Sequence, residues 1–272
     1  EKYSSEVSIK KRGKHWEEVR INAFRSDPES HRLPLVLPIG EVTTGHLAEW
    51  RDHRLTKVST GTVLRELTIL INLFEVCRKE WGWVVKNPTE DMSRPSRPEH
   101  RDRLISWFEI RKMLRALNWQ RGPCRTKTQA VGRAFMLALR SGMRAGEICN
   151  LKLEFVFDDH CLLPVTKSKP RRVPLTRQSF RLIESMQGWS DQTVFGVDSR
   201  RRDALFRKAR EKAGLAEAGF RFHDARHTAA TMTAKKIDIL DLCKIFGWSD
   251  PKMAMVYYNP TVSDLAARLN KN

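Results

Sequence analysis

The stretch His223-Asp224-Ala225-Arg226-His227 puts two imidazoles and a guanidinium within five residues. Arg144 lies well upstream, and Tyr257 supplies a phenol thirty residues beyond His227. These are the side chains needed to attack a DNA phosphodiester without a metal ion. A phosphodiester is already anionic, and its pentavalent transition state gathers further charge on the non-bridging oxygens. Catalysis then rests on positioning and electrostatic stabilisation. A guanidinium fork binds two such oxygens at once, so the pair Arg144 and Arg226 can do what a divalent ion does elsewhere.

Tyr257 is the candidate nucleophile, and the phosphotyrosine it forms conserves the bond energy, so resealing needs no ATP. Lys167, in a strand-like segment, is the candidate donor of a proton to the departing 5′ oxygen. His223 is the candidate that takes the phenolic proton or holds a phosphate oxygen. The indole N–H of Trp248, nine residues before Tyr257, is a donor only and suits a phosphate oxygen. Glu147 follows Arg144 by one helical turn and reads as a group that orients an arginine or the backbone. Ser-Gly-Met before Arg144 and Ala-Gly after it suggest a tight turn feeding a short helix, a place where N–H groups meet phosphate. His227 fits a hydrogen-bonding core position as well as a catalytic one. Lys169, Arg171 and Arg172 read as cations of a DNA-contacting strand, and Arg200-Arg201-Arg202 as a solvated or phosphate-contacting run.

Four segments in order resemble the boxes of the tyrosine recombinases of the phage integrase family. Ser141 to Ile148 resembles the box with the first arginine and its acidic neighbour. Thr166 to Leu175 resembles the β-hairpin with the catalytic lysine, and His223 to His227 the His-x-x-Arg-His box. Gly247-Trp248-Ser249-Asp250 with Met255-Val256-Tyr257 resembles the last box, where the nucleophile follows a His or Trp by nine residues. Ala225 stands where the family usually has Leu, and Trp248 where His is commoner. The hairpin turn is one residue shorter than the common form, so both Lys167 and Lys169 are candidates for the leaving group, with Lys167 favoured. Tyr258 adjoins Tyr257, and the nine-residue spacing favours Tyr257.

The resemblance implies a mainly α fold with a small β-sheet in a two-domain architecture. A helical core-binding (SAM-like) domain would span 1–92, a linker 93–103, and a mixed α/β catalytic domain 104–272. It implies a site-specific recombinase working through a 3′-phosphotyrosyl intermediate and a Holliday junction, with no cofactor. Its partners would be a double-stranded recombination site and further copies of the chain, a homodimer to homotetramer on DNA. A DNA-bending accessory protein is compatible with that scheme. The tail after Tyr257 would pack on a neighbouring protomer through Leu265, Leu269 and Ala266-Ala267. Val7 to Phe24 and Thr60 to Pro88 look similar to shufflon-type DNA invertases.

Charge points the same way. Residues 1–92 carry 15 Lys+Arg against 14 Asp+Glu, whereas residues 93–272 carry 35 against 18. Positive charge that dense implies a polyanion, with binding that weakens steeply in salt. The near-neutral first part needs a polarised face if it grips DNA. No run of about 18 apolar residues exists, which excludes a membrane span, and no segment reads as a basic amphipathic helix with an aromatic apolar face. Five scattered cysteines without Cys-x-x-Cys spacing suit a reduced cytoplasmic protein, and the resemblance implies that it is nucleoid-associated in a bacterial or phage-host cell. No signal peptide is visible, and the opening Glu1 in place of Met leaves room for a trimmed arm-binding domain.

Punctuation sets the organisation. Helices are expected over 2–11, 14–25, from Thr43-Thr44 to Leu55, and from Ser59-Thr60 until Trp81-Gly82-Trp83 and Asn87-Pro88 end it. Leu47, Trp50 and Leu55 are the inward candidates of the third; Val63, Leu67, Leu70, Ile71, Phe74 and Val76-Cys77 line the fourth at helical spacing. Two prolines and four arginines between Ser93 and Arg103 give the look of an extended tether. Two domains so joined suggest a clamp on opposite faces of a duplex. Beyond it, helices are expected near 106–117, 128–141, 176–187, 199–213, 224–236, 238–246 and 261–270, with a β excursion over 155–175.

Two other readings share these residues. A type IB topoisomerase uses the same tyrosine chemistry as a monomer, but the separate helical domain and the tail favour a recombinase. A non-catalytic DNA-binding protein on the same fold conflicts with the full set of chemical side chains. Zinc at His223 and His227 fails on chemistry: Asp224 replaces the needed Glu, Arg226 would sit beside the cation, and no third ligand is evident.

Overall fold

Thr43 starts the third helix by a reciprocal cap. Its hydroxyl accepts from the His46 N–H at 3.3 Å, and His46 Nδ1 accepts from the Thr43 N–H at 3.2 Å. In the computed structural model, residues 1–27, 31–98, 103–164 and 170–270 are described, the side chains of Asp264, Ala267 and Arg268 apart. The chain divides into two units, Glu1–His100 and Arg101–Asn272.

The first unit is helical: α1 Lys2–Glu6, a 3-10 turn Ser8–Lys10, α2 Lys14–Ser26, α3 Thr44–Lys57 and α4 Thr60–Lys79. The expected first helix over 2–11 is therefore broken at Val7. Val63, Leu67, Leu70 and Phe74 of α4 meet Leu47 and Trp50 of α3 and Phe24 of α2 in one core. The returning segment is tied down by Asn87, whose Nδ2 donates to the Ile71 carbonyl while its Oδ1 accepts from both the Thr89 N–H and hydroxyl.

One inward position differs from expectation. Leu55 is 37% exposed, and Arg54 is buried in its place. At about 100° per residue, position 54 lies about 20° from Leu47 around α3, whereas position 55 lies about 80° away. Arg54 faces the core because Glu66 of α4 meets it with a two-pronged bond, Nε to Oε2 at 3.0 Å and Nη2 to Oε1 at 2.9 Å. The Glu66 side chain has no exposed surface, and Arg20 adds a second cation at 3.4 Å.

In the second unit, α5 Trp107–Ala116, α6 Lys127–Ser141 and α7 Ala145–Cys149 precede a two-stranded antiparallel sheet of β1 His160–Leu163 and β2 Arg171–Pro174. Cys161 pairs with Val173 across it. Then follow α8 Arg177–Glu184, α9 Ser199–Lys212, α10 Asp224–Ala234, α11 Ile239–Phe246, α12 Lys252–Met255 and α13 Val262–Leu269. The β excursion is thus a short hairpin.

Helix α6 is buried almost all round, with Ala130, Val131, Ala134, Phe135, Leu137 and Ala138 in the core, as expected of a central element. Phe135 packs on Phe206 and Phe222 at centroid distances of 5.1 and 6.0 Å. Small residues on α10 (Ala225, Ala229, Ala230) lie in the core, and a second cluster joins α10 to Leu242, Phe246 and Ala254. Helix α13 leaves Val262, Leu265 and Leu269 exposed. No helix among the described residues is long and apolar enough to cross a membrane.

Truncating Arg54 to Ala leaves a wholly buried carboxylate with Arg20 alone, at 3.4 Å, and should destabilise the first unit by about 3–5 kcal/mol. Leu55→Ala, despite its apolar side chain, should stay within about 0.5 kcal/mol, as exposed positions do. Urea unfolding of the full chain checks both, and a larger loss for Leu55→Ala would overturn the assignment of the inward face.

Candidate active site

Two helices of the second unit end in the same way. Helix α6 stops at Gly142 and α11 at Gly247, each in the left-handed region with φ of 64° and 65°. Neither position has room for a side chain. A Cβ on Gly142 would lie 2.3 Å from the Phe246 ring, and one on Gly247 would lie 2.6 Å from Arg171 Cδ. The reversals leave carbonyl oxygens at the negative ends of both helix dipoles, where cations are stabilised.

Arg226, 6% exposed on α10, uses them. Its Nη1 donates to the Gly142 carbonyl at 2.5 Å and its Nη2 to the Phe246 carbonyl at 2.7 Å. The guanidinium also lies over the rings of Phe246 and Trp248 at 5.0 and 5.5 Å. Burial, and then the cations Arg144 and Arg171, lower its pKa to about 9, so it stays charged at neutral pH.

Arg144 is the N-cap of α7. Its Nη1 donates to Glu147 Oε1 at 2.8 Å, its backbone N–H to Glu147 Oε2 at 2.8 Å, and its Nη2 reaches the Gly247 carbonyl at 3.4 Å. The two guanidiniums are therefore gathered on consecutive carbonyls at the end of α11. Burial alone would raise the Glu147 carboxyl, but Arg171, with Arg144 and its N–H, outweighs it and holds it below the usual range.

Tyr257 follows α12. Its hydroxyl is hydrogen-bonded to His227 Nδ1, and its ring stacks on Trp248 with parallel planes and centroids 5.3 Å apart. Trp248 stacks in turn on Phe246 at 4.9 Å. His223 caps the start of α10, exposed, with its ring edge-on to His227 at 5.4 Å. Arg144, Glu147, Arg226, His227, Trp248 and Tyr257 thus form one connected set, with His223 at its margin.

Two expectations need a different account, and a third concerns residues outside those described. The phenol meets His227, ranked as an equal candidate for a core role, rather than His223. Arg171, expected on a DNA-contacting strand, turns inward and bonds Glu147 Oε2 at 2.7 Å, while Arg172 is exposed. Lys167 and Lys169 lie outside the described residues. Sequence reasoning missed the carbonyl cradle of Gly142, Phe246 and Gly247. Its signal was a glycine directly after each apolar helical pattern.

Residues 104–263 match the phage integrase family. A Haemophilus influenzae protein, provisionally named an integrase/recombinase, is 32% identical over 97% of this chain and 72% of its own length. The shufflon-specific DNA recombinase of Escherichia coli is 29% identical over 99% of this chain and 70% of its own. A lambda integrase dimer bound to a COC′ core site shares the fold, with a TM-score of 0.73 at 19% identity over 95% of this chain and 92% of that one. The family match and these relatives make the chain an enzyme of the tyrosine recombinase class. The chain belongs to the phage integrase family.

The two glycine caps predict a graded response. Gly188, with φ of 73° and nothing within 4 Å of an added Cβ, isolates the conformational cost of alanine there. Gly142→Ala adds a clash with Phe246 and should destabilise the chain more than Gly188→Ala, which itself costs upwards of about 0.4–1 kcal/mol. Equal losses in urea unfolding would mean that the approach of Phe246 constrains nothing.

Proposed function

We propose that the chain is a site-specific recombinase that cuts and rejoins duplex DNA through a covalent link between Tyr257 and a 3′ phosphate. The observation that carries the reading is the meeting of the Tyr257 hydroxyl with His227 beside two arginines fixed on adjacent carbonyls.

The steps balance without an outside reagent. The Tyr257 oxygen attacks phosphorus as its proton passes toward His227, which its hydrogen bond already places for the transfer. His223, at the exposed start of α10, is positioned to hold a phosphate oxygen. The phosphorus–O5′ bond breaks, and Lys167 is our candidate to protonate the departing oxygen, with Lys169 as the alternative. Arg226 commits two of its five N–H groups to protein carbonyls. The charge that it and Arg144 present is matched to the oxygens of the transition state. Attack by the free 5′ hydroxyl of another strand on the phosphotyrosine reverses the sequence and joins a new pair.

Rejoining between two duplexes needs several copies of the chain on one site, a dimer growing to a tetramer through a Holliday junction. The exposed Val262, Leu265 and Leu269 of α13 suit burial in such an assembly. Related structures support this reading, since lambda integrase has been seen as a tetramer bound to a Holliday junction. A nucleoid location in the cytoplasm follows from the substrate, and an accessory DNA-bending protein is compatible with it. Strand exchange between two marked duplexes, rather than relaxation of supercoils alone, separates this activity from that of a type IB topoisomerase.

Tyr257→Phe should abolish covalent trapping on a nicked suicide duplex while leaving binding intact. Trapping that persists moves the nucleophile to Tyr258. Arg144→Ala and Arg226→Ala should each slow cleavage by about 10²–10³, the usual loss for one transition-state donor. Replacing the bridging 5′ oxygen by sulfur should restore cleavage to Lys167→Ala, because a thiolate leaves unprotonated; selective rescue of Lys169→Ala would assign the proton to that residue.

A further inference from the structure

We infer that Arg171 is a positioning residue that locks Arg144 and the Gly247–Trp248 loop onto one frame, and that it does not bind DNA. The inference rests on the reading of Arg144 as a transition-state cation given above.

Strand β2 alternates, so Val173 is buried while Arg172 and Pro174 are exposed, and Arg171 shares the inward face of Val173. The Arg171 side chain is 8% exposed. One end of its fork donates to Glu147 Oε2 at 2.7 Å, and the same carboxylate holds the Arg144 guanidinium and backbone N–H. The other end donates to the Ile245 carbonyl, in the last turn of α11. Two residues on, the Gly247 carbonyl accepts from Arg144.

The contacts close a ring: Arg171 to Glu147, Glu147 to Arg144, Arg144 to Gly247, and Ile245 back to Arg171. Gly247 has no side chain because the Arg171 Cδ and Nε occupy that space, 2.6 and 2.8 Å from a would-be Cβ. A phosphate could reach Arg171 only if the site opened, because the side chain is 8% exposed, its Nη groups are held by Glu147 and the Ile245 carbonyl, and its unpartnered Nε is buried. Burial, with the neighbouring Arg144, lowers the Arg171 pKa despite Glu147, so the guanidinium is held there against a solvation cost. A planar fork is required, because the two acceptors lie on separate elements.

The test compares R171M, R171K and E147Q in the full chain, on the nicked suicide duplex. Single-turnover cleavage is read at saturating DNA, and affinity is read across a salt series. R171M should slow cleavage of bound DNA by about 10²-fold, the effect of displacing a catalytic group by about an ångström. Its salt slope should match the wild type. R171K should fall between, since an ammonium reaches one acceptor but not both. In an E147Q background R171M should add little, as expected of residues acting in one contact chain.

A salt slope flattened by about 0.9, with cleavage of the saturated complex unchanged, would make Arg171 a phosphate contact and overturn the inference. Leu182→Ala, a core truncation away from the ring, serves as a stability control. If it slows cleavage as much as R171M at equal loss of melting temperature, Arg171 is merely structural. Should R171M fail to fold, R171K and E147Q carry the same comparison. Tyr257→Phe in parallel keeps the two readings apart: trapping that persists there sinks the nucleophile assignment, whereas full cleavage by R171M beside an inert Tyr257→Phe sinks the role of Arg171 alone.

Discussion

A buried guanidinium with no carboxylate of its own among the described residues is the constraint around which the second unit is organised. An unpaired charge in a protein interior is expensive, and the usual remedy is an ion pair. Arg226 takes another course. Its donors meet carbonyls at the ends of two helices, and its face meets two aromatic rings. Partial charges offset the burial without cancelling the formal charge. An ion pair at that position would have left little field for an incoming phosphate. The arrangement needs α6 and α11 to end side by side, which explains why both end on glycine and why Phe246 presses on the first of them.

Arg144 is handled differently, and the contrast is physical. It is more exposed than its carboxylate partner, at 20% against 6% for Glu147, so an ion pair is affordable in part. Glu147 answers to two guanidiniums, Arg144 and Arg171, and the local balance remains positive. Three cations around one carboxylate repel each other, visible in the lowering of Arg226 by its neighbours after burial. A phosphate relieves that repulsion. The charge that repels itself within the site is the charge that, in the proposed reaction, favours a dianionic transition state over a solvated monoanion.

Much of this was legible in the sequence, for identifiable reasons. Helix α4 was readable because Val63, Leu67, Leu70 and Phe74 repeat at helical spacing and bury as one stripe. The order of the four boxes carried the resemblance to the family, which the match over residues 104–263 bears out. What escaped depends on contacts distant in the chain. Arg54 reads as surface until Glu66 is known to face it, and Arg171 reads as one cation of a basic run until Glu147, 24 residues earlier, is seen beside it. Backbone carbonyls carry no letter in a sequence, so the cradle of Arg226 was invisible apart from its glycines. The choice between His223 and His227 was equally local. Both belong to one helical start, and the approach of Tyr257 from a later element decides which imidazole meets the phenol.

The two halves of the site differ in how firmly they are held. The cationic half stands on α6, α10 and α11, whose inward residues are nearly all without exposed surface. Tyr257, the proposed nucleophile, stands after α12, a single turn in which Ala254 alone is buried while Met253, Met255 and the following Val256 are exposed. Regions with few buried contacts open at lower free energy than the core they rest on. Tyr257 packs partly against the cluster of α10 and α11, and its hydrogen bond to His227 and its stack on Trp248 are each worth about 1 kcal/mol. Electrostatic stabilisation requires donors fixed before the reaction begins, because reorganising them would cost the energy they supply. A nucleophile that must first attack and then surrender its phosphate to another strand gains from the opposite property. Rigid cations with a lightly held phenol therefore satisfy both demands, and the division falls where packing density changes, at the end of α11.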